Sequence, residues 1–157
     1  MQYPGYNTGK VILSEGDWFP FRITKFVQLQ DNSWYYVLQD INGLKHFMPA
    51  GYYKDYGFSI GIQIKCKIDR INCTGRIFLE PEHPYYQEGQ IYEFDLIDYI
   101  EHGNDSKLVV KEALGKSIEV PVCKFKIMGG NNGKKIKCLV KNIKKGIPIL
   151  ELLVIIS

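Results

Sequence analysis

The chain has 157 residues, room for one ordinary domain or two very small ones. With 45% apolar and 13% aromatic residues it can build a core, which excludes a disordered chain; a net charge of +3 is too small to point to a partner. Cys66, Cys73, Cys123 and Cys138 form no C-x-x-C pair, which argues against a zinc site. The start, MQYPGYNTGK, lacks the charged and apolar blocks of a signal peptide. The apolar run 150–156 is interrupted by Glu151 and is too short to span a bilayer. These features lead us to expect a cytoplasmic protein with free thiols, no cofactor and no membrane partner.

In chain order, a first strand is expected over 18–29, just after Glu15-Gly16, and a second over 34–39, which carries Trp34-Tyr35-Tyr36. Asn42-Gly43 marks a turn, because Gly supplies positive φ, into a third strand over 44–48. Residues 50–59 (AGYYKDYGFS) leave room for a short helix. In the fourth strand, 62–71, Ile64, Cys66 and Ile68 alternate with Lys65, Lys67 and Asp69, the period of a half-buried strand. A fifth strand over 76–79 runs into Pro81 and Pro84, so 81–87 reads as a linker.

The order then starts again, with strands expected over 91–100, 107–111, 117–120, 135–143 and 147–153. Glu88-Gly89 follows Glu15-Gly16 at an offset of 73 (88 − 15). Gly115, Pro121 and Cys138 follow Gly43, Pro49 and Cys66 at 72, and Gly146 and Leu150-Glu151 follow Gly75 and Leu79-Glu80 at 71. Four ordered matches whose offset drifts only at loops mark an internal duplication. Pro148 suggests that the last strand is an edge or is bent. Five strands with a helical element between the third and fourth describe the OB-fold, a Greek-key barrel that binds ligands on its second and third strands. We therefore expect an all-β chain of two tandem five-stranded OB barrels, 1–80 and 88–157, each with a short helix between strands three and four.

GLKHFMP at 43–49, GIQIKCKIDRI at 61–71 and GRIFL at 75–79 resemble the RNA-binding S-one domain, the ribosomal-protein type of OB-fold. The likeness covers roughly 15–80. It implies an RNA-binding face in which His46, Arg76 and the aromatic Tyr36 take part, with Trp34 and Tyr35 close by. Asn72 stands where that family carries an acidic residue. The second copy departs further, with Ile118 in place of the His and Ser106-Lys107-Leu108 in place of the aromatics.

Adjacent strand residues point to opposite faces, so Trp34, Tyr35 and Tyr36 cannot all be core. An uncovered ring in a barrel groove is a stacking platform for a base; equally, Trp34 and Tyr36 can pack the barrel while Tyr35 covers its outside. His46 reads either as a nucleotide contact or as a half-buried structural residue. Arg76, Lys45, Lys65 and Lys67 read as phosphate contacts or as solvated surface charge. Between 120 and 150 lie eight lysines and no acid, including Lys124, Lys126, Lys134, Lys135 and Lys137, a candidate basic patch on the second copy. Glu93, Asp95, Asp98, Glu101 and Asp105 partly offset it. No catalytic constellation emerges. The expectation is a non-enzymatic protein that binds single-stranded RNA or DNA. The alternative is a protein-interaction adaptor acting through the second barrel.

Overall fold

The computed structural model describes residues 9–103, 105–122 and 134–156. The chain divides into two compact units, 1–82 and 83–157. In the first, strands β1 (Trp18–Gln28), β2 (Trp34–Gln39), β3 (Lys45–Pro49), β4 (Gln63–Ile71) and β5 (Ile77–Pro81) form one antiparallel sheet in the order β3-β2-β1-β4-β5. A 3-10 helix, Gly51–Tyr56, lies between β3 and β4. In the second unit, β6 (Ile91–His102), β7 (Asp105–Lys111), β8 (Ser117–Val122), β9 (Lys135–Lys144) and β10 (Ile147–Ile156) repeat the order as β10-β9-β6-β7-β8. The outer strands of each sheet also approach one another, β3 towards β5 and β8 towards β10. This is the OB-fold strand order, twice. The second copy's expected helix falls in 123–133, outside the described residues.

Both cores are laid down by period-two alternation. Phe21, Ile23, Leu38, Met48, Tyr53, Cys66, Ile68 and Leu79 fill the first. Phe94, Leu96, Val110, Val120, Cys138, Val140 and Leu150 fill the second at duplicated positions. Cys66 and Cys138 are fully buried, and burial pushes both thiols up, Cys138 to about 12. They serve as small apolar fillers. Pro148 sits in outer strand β10, where no second neighbour requires its missing N–H.

The duplication extends to irregular features. β1 bulges between Ile23 and Lys25, and β6 does the same between Leu96 and Asp98. The repeated Glu-Gly pair has a mechanical explanation. Gly16 and Gly89 adopt φ of 86° and 82°, a left-handed conformation open to glycine. Their N–H groups donate to the carbonyls of Ile68 and Val140 at 2.8 and 2.7 Å. The preceding carboxylates, Glu15 and Glu88, accept from the backbone N–H of Ile71 and Ile143. Each motif thus clamps the entry of the unit's first strand onto its fourth.

The stretch expected as a linker, 81–87, is structured. Pro81 ends β5, and His83 and Tyr86 are buried in the second unit. Tyr86 Oη accepts the N–H of Ala113 at 2.8 Å, which ties this stretch to the β7–β8 turn. Residues 10–14 do the equivalent in the first unit: the N–H of Val11 donates to Asn42 Oδ1, and Asn42 Nδ2 donates back to the Val11 carbonyl. A strap ahead of the first strand is therefore part of each repeat.

Candidate nucleic-acid interface

Alternation along β2 separates the Trp34-Tyr35-Tyr36 run into two surfaces. Tyr36 turns inward against the first core, and Trp34 follows the same side beyond the end of the packed region. Trp34 stacks on Phe26 (centroids 4.7 Å apart, planes 18°) and Phe26 meets Tyr36 at 5.1 Å. The series continues through Phe58, Tyr56, Tyr53 and Tyr52. Trp34 and Phe26 remain 48% and 44% exposed, too much for rings serving only as core.

Tyr35 points the other way. It meets Phe47 of β3 edge to face at 6.2 Å, and Phe47 is 44% exposed. The pair is diagonal across the β2–β3 ladder, in which Val37 stands opposite Phe47. Tyr35 Oη donates to Asp31 Oδ2 at 2.9 Å, which fixes the ring and raises the phenol's pKa. The Asp31 carboxyl is lowered, first by the N–H of Ser33 and then by Tyr35.

Beside Phe47 an open cleft of about 400 Å³ is lined by Leu44, Lys45, His46, Thr74, Gly75, Arg76 and Ile77. The turn carrying Arg76 is organised by Asn72, the residue in place of the expected acid. Its Oδ1 accepts from Thr74 Oγ1 at 2.7 Å and from the N–H of Arg76 at 2.8 Å. Arg76 lies 5.0 Å over the Phe78 ring, which holds the guanidinium at this edge.

Of the other expected residues, His46 also lines this cleft, though it is tied to the turn beneath it. His46 sits on the inner side of β3, its Nε2 2.7 Å from Oδ2 of buried Asp40. The other Asp40 oxygen accepts the N–H groups of Asn42 and Leu44. His46 is therefore locked into the β2–β3 turn, with only 13% of its side chain exposed. Lys65 and Lys67 lie on β4, which β1 separates from β2, and do not line the cleft beside Phe47. Lys124 and Lys126 fall outside the described residues. Lys135 and Lys137 project from β9, and Lys135 is 3.8 Å from Asp95. Lys134 only approaches that strand, where its carbonyl accepts the N–H of Leu96. The basic patch is thus interleaved with the acidic stretch of β6.

Sequence reasoning missed Phe26, Phe47 and Tyr52. Phe47 was detectable: it occupies an outward position on the strand that the OB-fold uses for binding. Among the described residues no group of three His, Cys, Asp or Glu is arranged to hold a metal ion, and no helix is long and apolar enough to cross a membrane.

No protein-family model and no curated protein matches the chain. Solved structures resemble it at low identity. One called "Structural mimicry for functional antagonism" is 11% identical, covering 98% of this chain and 98% of that one, with a TM-score of 0.33. The structure of p202 HIN1 in complex with 12-mer dsDNA is 11% identical over 96% of this chain and 95% of that one, at 0.31. That of the tetrameric p202 HIN2 is 11% identical over 94% and 100%, also at 0.31. The chain is a tandem of two OB-like units by its strand order and by the repeated bulges and clamps.

Proposed function

We propose that the first unit binds single-stranded nucleic acid, RNA or DNA, on the outer surface of β2 and β3. The observation that carries this reading is the edge-to-face pair of half-buried Tyr35 and exposed Phe47, with Lys45 and Arg76 beside Phe47. Flat rings on a binding surface accept any base through its π-face, and neighbouring cations neutralise the phosphates that follow. The resemblance of 43–79 to the S-one domain fits the same surface, with His46 on the cleft wall and tied to Asp40 of the β2–β3 turn. The protein acts as a non-enzymatic binder. A labelled short single strand titrated with the protein should show saturable binding that weakens steeply with salt. An equal duplex, the ligand named for the HIN1 complex, should bind less tightly because its bases are already stacked.

The adaptor reading has one observation in its favour, and it concerns the second unit. Outer strand β10 exposes Ile147, Ile149, Leu153 and Val154, an apolar edge suited to a protein partner. Under that reading the second unit retains a protein after loss of nucleic-acid binding by the first.

A further inference from the structure

A second cleft, about 490 Å³, opens between the β1–β2 turn and the 3-10 helix. Phe26, Trp34, Tyr36 and Tyr52 line it with Asn32, Ser33 and Lys54. It lies off the Tyr35–Phe47 surface, because Trp34 and Tyr36 project from the other side of β2. Tyr35 lines this cleft and touches Phe47, so the two places adjoin along the chain's own surface.

The turn bearing Asn32 is held stiffly. The N–H of Leu29 donates to the Ser33 carbonyl at 3.1 Å, that of Asn32 to the Leu29 carbonyl at 3.0 Å, and Gln28 Nε2 to the Asn32 carbonyl at 3.1 Å. Ser33 N–H donates to Asp31 Oδ1 at 2.9 Å. Asn32 itself sits at φ 63°, a conformation Asn tolerates better than most side chains. The main chain of Asn32 is thus fully committed to the turn. Its side chain is exposed on the cleft's wall and makes no hydrogen bond among the described residues. A carboxamide carried on a stiffly held main chain offers one donor and one acceptor side by side, the complement of an adenine edge. Trp34 supplies a half-exposed ring for stacking, and Lys54 supplies a cation at the rim for the attached phosphate.

We propose that this cleft captures one unpaired base of the bound strand, adenine in preference to pyrimidines, stacked on Trp34 and read by the Asn32 amide. The inference rests on the nucleic-acid reading above and adds a point of base discrimination to a surface that otherwise stacks any sequence. A purely apolar occupant would leave the Asn32 amide and Lys54 without use.

The test compares labelled adenine-rich and pyrimidine-rich single strands by fluorescence anisotropy. The natural chain should prefer the adenine-rich strand by about fivefold or more, the usual discrimination of a paired amide. Asn32→Gly removes the amide while keeping a residue suited to positive φ, and it should reduce the preference to less than about twofold without altering the salt dependence. Trp34→Ala should weaken both strands, with circular dichroism confirming the fold. The inference is overturned if the natural chain shows no preference, or if the preference survives Asn32→Gly while Tyr35→Ala still abolishes binding. The second result would leave the nucleic-acid reading intact. Absence of binding by any strand at low salt would overturn both.

Discussion

On the first unit, Tyr35 and Phe47 stand edge to face at 6.2 Å; at an offset of 72, the same diagonal of the second unit carries Lys107 and Glu119, ion-paired at 2.8 Å. The exchange recurs one step along the strand. Where Phe26 stacks on Trp34, the second unit has Tyr99, whose hydroxyl donates to Ser106 Oγ at 3.0 Å. Backbone, bulges and entry clamps are common to both units. The core positions stay apolar, while the uncovered rings of the first unit give way to polar groups that satisfy each other. A face satisfied within its own chain offers little to a base, because a ligand would have to displace the pairs already formed. Duplication has thus kept the framework, and a binding surface can be judged by which unit leaves its groups unsatisfied.

The largest expected effect tests that contrast directly. Replacing both Tyr35 and Phe47 with Ala should weaken single-strand binding by about tenfold or more, whereas Lys107→Ala with Glu119→Ala should leave it within about twofold. Equal losses from the two doubles, measured by anisotropy, would break the comparison. A second prediction sharpens the claim of a common framework. Asp40→Ala strands two backbone N–H groups and His46, and should destabilise the first unit by about 3 kcal/mol in urea denaturation. His46→Ala should act chiefly through the same loss of stability, with binding per folded molecule nearly unchanged.

The third prediction uses acid to separate the units. His83 is buried, and burial, followed by the Lys116 charge, depresses its pKa to about 4. The Glu112 carboxylate 3.8 Å away favours the protonated form but does not overcome the desolvation. A histidine depressed on folding binds its proton more readily when unfolded. Stability of the second unit should therefore be fully present above about pH 6.5 and decline as pH falls towards about 4. Urea midpoints across that window check it, and a second unit that gains stability on acidification would contradict the assignment. The smallest effect is on salt dependence. Arg76→Ala should lower the slope of log affinity against log salt by about 0.7, the loss of one phosphate contact on a single strand. Lys65→Ala should not change it.

Much of this fold was legible in the sequence because its signals are local and occur twice. The alternation of Ile64, Cys66 and Ile68 reappears as Ile136, Cys138 and Val140, and all but Ile64 are fully buried. Strand ends were displaced by one to three residues, as at β10, which runs on to Ile156 through a second bulge. The prolines of 81–87 suggested a linker because proline punctuates chains, but Tyr86 matches Leu13 of the first strap. That equivalence depends on a tertiary contact with the β7–β8 turn, which no local pattern announces. The site was less legible. Alternation put Tyr35, half-buried, on the outer side of β2, yet neither the tie between His46 and Asp40 nor the stack of Phe26 on Trp34 could be read from spacing. The first depends on side-chain packing at the β2–β3 turn, the second on how β1 registers with β2 past its bulge.

The most direct test of the account is a titration of a labelled single strand with the natural chain and with the Tyr35→Ala, Phe47→Ala double variant, at low and raised salt. The account predicts saturable, salt-sensitive binding by the natural chain that the double variant loses while its circular dichroism stays unchanged. Binding of equal strength by both proteins, or by neither at low salt, would contradict it.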